Sequence, residues 1–344
     1  MPLREGQAQP SVRYDGAGGA GPLPERRWIG AVLAAVTLAS PRPGLGADHR
    51  LTVGGGRIDV SITGSGSLPE PALLRWIDNA ARGVTAYFGR YPVPQVRLRV
   101  RTGTSGGVGH GITHGGRVPS IGIQVGRAAD ESDLRDDWVL THEMVHLAFP
   151  DLVSDDAWAE EGLATYVEPL ARARLGLLSE DEVWSGLISE LPKGLPRRGD
   201  QGLHGTEDWG RTYWGGALFW LIADVRIREK TGNRRGLPDA LAEILDAGGD
   251  IRANWGLLRA LDAGDRALGL TVLSDLYREL GVAPGTPDLA ELWRRLGVRR
   301  VGGRVLYDNS AALAHVRRAI VGAPLVDRNA KALPRVIYTA ASRH

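Results

Sequence analysis

Apolar residues recur at helical spacing through residues 70–88, where Leu73, Leu74, Ile77, Ala80, Ala81 and Val84 fall on one side of the chain. That spacing predicts an amphipathic helix. The period then shortens to two. In residues 95–101, Val96, Leu98 and Val100 alternate with Arg97, Arg99 and Arg101, the pattern of a half-buried strand. Short strand-like pieces at 51–53 and 57–63, parted by glycines, precede the helix, and 121–125 reads as a further strand. The glycine-rich stretch 103–116 reads as a loop. From Ser132 onward the helical period dominates. Helices are expected at 133–148, stopped by Pro150; at 158–168, stopped by Pro169; at 211–231, ended by Gly232; and at 237–245, 271–280, 289–296 and 310–321. Ser179-Glu180-Asp181-Glu182 is a capping-box pattern that opens one more helix, ending before Pro192. Strands first and helices after predict an α+β chain.

The N-terminus adds a processing signal. Arg26-Arg27 precedes the apolar run 28–39, and small residues follow up to Ala47, as in an export signal. The resulting organisation is 1–47 export signal and n-region, 48–130 a small sheet lobe with one helix, 131–250 a helical lobe, 251–321 a C-terminal helical region, and 322–344 a tail. Export from a bacterial cell, by secretion or into the envelope, is the expectation. The apolar run is too short for a stable span, so membrane attachment is expected only if the signal stays uncleaved. At 43% hydrophobic residues the chain can build a packed core, which excludes wholesale disorder. All but three of the 42 Lys+Arg are arginine, yet they scatter among acids and the net charge is +2. No basic stripe is apparent, and no nucleic-acid partner is expected. With no cysteine, disulfides, thiolate metal sites and thiol nucleophiles are excluded.

Candidate chemistry concentrates in the first helices of the second half. Thr141-His142-Glu143-Met144-Val145-His146 contains H-E-x-x-H. On a helix, His142 and His146 lie one turn apart on one face and can share a zinc ion. Glu143 sits about 100° round from His142, in reach of a metal-bound water without being a ligand, and is the expected general base. A catalytic zinc needs a third protein ligand and one open position; Glu160, Glu161 and Glu168 are the downstream candidates. His110 and His114 share the i, i+4 spacing but lie in the glycine-rich stretch, which does not enforce helical geometry. Trp138, Trp158, Trp214 and Trp220 fall on apolar helical positions and read as core, as does Tyr166. Asp155 and Asp156 read as partners of a zinc histidine or as a helix cap.

Trp158-Ala159-Glu160-Glu161-Gly162-Leu163-Ala164-Thr165-Tyr166 resembles the W-x-x-E-G-[FL]-A/T-x-Y signature of gluzincin metallopeptidases of the peptidase MA superfamily. The resemblance implies that Glu161, separated from His146 by fourteen residues, is the third ligand of a single Zn2+ ion. Residues 161–168, then 170–182, and Tyr213-Trp214-Gly215-Gly216-Ala217-Leu218 with Asp224, Arg226 and Thr231-Gly232-Asn233 are similar to the catalytic domain of the glycyl-aminopeptidase family. Residues 289–297 and 302–307 are similar to the end of that region. This likeness implies that Tyr213 stabilises the tetrahedral oxyanion, although Gly215 stands where the family carries a basic residue. It also implies a thermolysin-like two-lobed catalytic domain, a small sheet lobe followed by a mainly helical one, with zinc in the cleft. The family's large N-terminal β-domain, its PDZ-like module and a G-A-M-E-N-like segment have no counterpart in these 344 residues. The implied activity is hydrolysis of peptide or protein substrates by a zinc-bound water that Glu143 activates. An inactive zinc-binding scaffold and a zinc hydrolase of non-peptide amides are the alternatives.

Overall fold

The structure is a computed structural model that describes residues 49–64, 66–103, 106–322 and 339–340. Strands β1 (His49–Val53) and β2 (Gly56–Thr63) form an antiparallel hairpin. Helix α1 (Glu70–Phe88) follows, with Pro71 in its first turn, where a missing N–H costs nothing, and left-handed Gly89 at its end. Its buried face holds Leu73, Trp76, Ile77, Ala80, Ala81, Val84 and Phe88. Strand β3 (Gln95–Gly103) then pairs parallel with β2, the arrangement a helical crossover permits.

Strand β4 (Val108–His114) occupies most of the stretch expected to be a loop. It pairs antiparallel with β5 (Ser120–Gly126), with a register shift between Val108 and Gly111, and β5 pairs parallel with β3. Glycine weakens a strand by its own propensity, but here it lets β4 lie closely over a helix, as the next section describes. With β8 (Thr339–Ala340) on the far side, the sheet order is β4-β5-β3-β2-β1-β8. Ile58, Val60, Val96, Leu98, Val100, Ile121, Ile123 and Val125 form its buried face. The alternating arginines of β3 are all exposed on the other face, as the two-residue period implies.

The helix expected at 133–148 is two helices, α2 (Glu131–Asp136) and α3 (Val139–His146). Asp137 makes the break. Its buried carboxylate accepts the N–H groups of Val139 (2.9 Å) and Leu140 (3.1 Å) and the indole N–H of Trp76 (2.9 Å), so it caps α3 and ties it to α1. Helix α4 (Ala157–Arg174) runs through Pro169 instead of stopping there. An interior proline costs about 3 kcal/mol, but Leu170, Ala171 and Ala173 beyond it are buried, and that packing holds the last turn.

Helix α5 (Glu180–Glu190) begins on the expected capping box: Ser179 accepts the Glu182 N–H, and the Glu182 carboxylate accepts the Ser179 N–H at 2.7 Å. The long expected helix opens with a π-helical turn, Arg211–Gly215, and continues as α6 (Gly216–Thr231). Helices α7 (Leu237–Asp246), α8 (Leu257–Leu268), α9 (Val272–Leu276), α10 (Leu289–Leu296) and α11 (Ala314–Val321) complete the helical part, with a hairpin of β6 (Val298–Val301) and β7 (Arg304–Tyr307) between the last two. Helix α8 was not expected from the sequence, and the expected run 271–280 is split by a second π turn, Tyr277–Gly281. These elements belong to one compact unit, Gly46–His344. The proposed signal, 1–47, lies outside the described residues; of the tail, only Gly322 and β8 are described. Among the described residues no helix is long and apolar enough to cross a membrane.

Candidate metal centre

The capped N-terminus of α3 fixes a short, buried helix whose one-turn spacing puts His142 and His146 side by side, ring centroids 5.0 Å apart. Helix α4 packs against α3 and brings Glu161 to the same point. Glu161 Oε2 is 3.2 Å from His142 Nε2 and 3.6 Å from His146 Nε2, and the three donor atoms lie within 4.8 Å of one another. Two donors held about 2.0–2.2 Å from one tetrahedral ion stand roughly 3.3–3.6 Å apart. The two glutamate–histidine spacings lie close to that range.

The protonation states also fit. Burial lowers His146 to about 4, helped by the neighbouring His142 and opposed by Glu161, so its imidazole is neutral and its lone pair free. Burial pushes Glu161 upward, but the hydrogen bond from His142, the charges of His146 and His142, and a hydrogen bond from Tyr213 together hold it below the usual value. A glutamate and two histidines are residue types that zinc favours. His142 Nδ1 is buried with no hydrogen-bond partner among the described residues. Neither Asp155 nor Asp156 serves it: Asp156 meets His204 Nδ1 at 2.9 Å, and Asp155 accepts the Ser154 hydroxyl at 3.4 Å. Asp156 makes no side-chain cap on α4 either.

Glu160 does not join the group. Its carboxylate accepts the Leu152 N–H at 3.4 Å. Burial raises it to about 8, and the charges of Glu161 and Asp151 push the same way. Glu168 pairs instead with Arg172 at 2.9 Å, both side chains being buried.

Glu143 is buried beside His142. Burial raises its carboxyl, opposed by the charge of His142 and a hydrogen bond from Thr113, which moves it toward the range useful to a general base. Tyr213 sits in the π turn, a feature common at functional sites. Its ring stacks 6.3 Å from that of His142, with an interplanar angle of 23°. Its hydroxyl bonds to Glu161 and is raised by burial and by the Glu161 and Glu143 charges, so it stays protonated and able to donate. Trp138 flanks the other side of His142 at 5.4 Å. Trp158, Trp214 and Trp220 are core, as expected, and Tyr166 is buried with its hydroxyl on Asp224 at 3.0 Å. His110 and His114 are exposed on β4.

Five residues contribute without having been assigned a role from the sequence. Thr113 on β4 places its hydroxyl on Glu143. Gly111 leaves room for the Glu143 side chain: a Cβ there would lie 2.6 Å from its Cγ. Half-exposed Trp209 stacks on Tyr213 at 5.3 Å. Gly162 and Gly216 let α4 and α6 touch, since a Cβ on Gly162 would lie 2.3 Å from the Gly216 Cα. Gly162 and Gly216 had a signal in the sequence, the first directly after Glu161 and the second within the stretch that follows Tyr213.

No protein-family model matches the chain, and no curated protein matches its sequence. Solved structures do. An aminopeptidase N family protein from Idiomarina loihiensis superimposes with a TM-score of 0.53 at 14% identity, covering 72% of this chain and 49% of its own. The likeness is one of fold. A two-domain M1 zinc metallopeptidase variant bound to L-arginine and an M1 zinc metallopeptidase from Deinococcus radiodurans each reach a TM-score of 0.46 at 18% identity, covering 70% of this chain and 53% and 52% of theirs. The chain spans about half the length of these structures. Its mixed sheet with a helical region thus resembles part of an aminopeptidase N family protein.

Proposed function

We propose that this chain is an exported zinc metallopeptidase with a thermolysin-like catalytic domain, in which His142, His146 and Glu161 hold one zinc ion in the cleft. The observation that carries the reading is the convergence of those three donors, at zinc-compatible spacing, beside a buried glutamate and a protonated tyrosine hydroxyl. A zinc ion bound there supplies Lewis-acid polarisation and acidifies water toward a pKa of about 7. Glu143 accepts the proton of the water that attacks the substrate carbonyl and then delivers it to the departing amine nitrogen. Tyr213 donates its hydroxyl to the oxyanion as charge develops, a contact worth about 10²-fold or more in rate. Resemblance to the glycyl-aminopeptidase family supports that assignment, and the aminopeptidase N-like fold supports the peptidase class. Export rests on Arg26-Arg27 and the apolar run that follows.

The test joins metal analysis to a peptide-library digest. Wild type should bind about one zinc and cleave peptides, while Glu143→Gln should keep the zinc and lose activity by at least about 10²-fold. A zinc-loaded wild type that cleaves no peptide would overturn the reading.

A further inference from the structure

The inner face of β4 approaches the candidate base from above. Gly111 and Thr113, two residues apart, point the same way along the strand. The Thr113 hydroxyl lies 2.6 Å from Glu143 Oε2 and 2.9 Å from the Glu143 backbone carbonyl oxygen. A Cβ at Gly111 would lie 2.6 Å from Glu143 Cγ, 2.9 Å from Glu143 Oε1 and 2.8 Å from Val139 Cγ1. Gly111 has no positive φ, so the backbone does not demand glycine there. The space taken by Glu143 does.

We infer that Gly111 and Thr113 form a cradle on the sheet edge that fixes the Glu143 side chain, with Thr113 as a positioning residue for the base. This rests on the peptidase reading above. A threonine hydroxyl has one proton and can accept as well as donate. While Glu143 is a carboxylate, Thr113 donates to Oε2. That bond leaves the other oxygen, Oε1, to take the proton from water and pass it to the amine nitrogen, while Oε2 stays on Thr113. One hydroxyl thereby keeps the side chain tied to the strand through both halves of the transfer. An untied glutamate would sample other rotamers, and a misplacement of about 1 Å at a reacting group costs roughly 10²-fold in rate.

Thr113→Val keeps the shape and removes the hydroxyl; Thr113→Ser keeps the hydroxyl. The Val variant should retain its zinc and lose about 10- to 10²-fold in kcat with KM nearly unchanged, as expected for an interaction that acts on the chemical step. The Ser variant should recover most of that loss. Gly111→Ala should lower kcat in the same way. A second readout needs neither metal nor turnover. In zinc-free protein, Thr113→Val should lower Tm more in the wild-type background than in a Glu143→Ala background, where the carboxylate partner is gone and only the backbone carbonyl at position 143 remains. Equal Tm losses in both backgrounds, a Val variant with wild-type kcat, or failure of Ser to restore it would each overturn the cradle. If wild type cleaves no peptide, the peptidase reading falls and the Tm coupling alone decides the cradle.

Discussion

Replacing Gly216 by alanine tests how the two halves of the site are held in register. Gly216 opens α6 three residues after Tyr213, and its Cα faces α4 one residue beyond Glu161. A Cβ at Gly216 would lie 2.1 Å from the Trp158 carbonyl oxygen and 2.7 Å from the Gly162 Cα. To bring the first contact to 3.0 Å, the shortest a real Cβ tolerates, the helices must part by about 0.9 Å. Helix α4 is gripped by α1 and α3, so the shift falls on α6 and carries Tyr213 away from Glu161. Overpacking of this kind costs about 1–3 kcal/mol, or roughly 2–4 °C in Tm per kcal/mol for a chain of this size. A displacement near 1 Å should lower kcat by about 10²-fold. Zinc content should stay near wild type, because α3 and α4 do not move. Peptide hydrolysis, differential scanning fluorimetry and metal analysis on one preparation give all three quantities. A Gly216→Ala protein with wild-type kcat would refute the argument, and so would one whose zinc and activity fall together. Gly162→Ala should act alike, and the double variant should lose little more, since both fill one contact.

Glu161→Gln should weaken zinc retention while Glu160→Gln leaves it intact; metal analysis showing the reverse would exchange the two assignments. Tyr213→Phe keeps the ring stacked on His142, so stability should change by under about 1 kcal/mol, whereas kcat should fall roughly 10²-fold at similar KM; a fully active Phe variant would return Tyr213 to a packing role. Glu160 is raised from 4.5 to about 8, so the folded state binds this proton more tightly than the unfolded chain does. Its contribution is therefore full below about pH 4.5 and lost as pH rises to about 8. In zinc-free protein, Glu160→Gln should flatten the fall of Tm across that window, and an unchanged Tm–pH curve would contradict the assigned environment.

Local chemistry made much of the metal centre legible in the sequence. The i, i+4 histidines need only a helix to meet, and α3 supplies it even though it is shorter than the periodicity implies. Glu161 came from resemblance, because a glutamate pair after a turn does not declare which member faces inward. The boundaries that misled share one cause: a side chain elsewhere overrode a local signal. Asp137 broke a continuous apolar period by capping α3 with support from Trp76, 61 residues earlier. Buried contacts carried α4 past Pro169. Within the glycine-rich stretch that became a strand, Gly111 and Thr113 meet Glu143, a contact between positions about thirty residues apart. The unexpected α8 has apolar Leu257, Ala260 and Leu261 on one side, a period masked by its charged residues.

The three candidate metal donors sit within twenty consecutive residues, His142 to Glu161, whereas Tyr213 arrives on an element that must dock across Gly162. Closing a short loop costs less entropy than closing a long one. The ion-binding hairpin of α3 and α4 can therefore assemble early, while the oxyanion donor waits for α6 to settle. On the proposed function, metal loading and catalytic competence would be separate events. For a peptidase, that order delays cutting power until its own helices are folded and no longer offered as substrate.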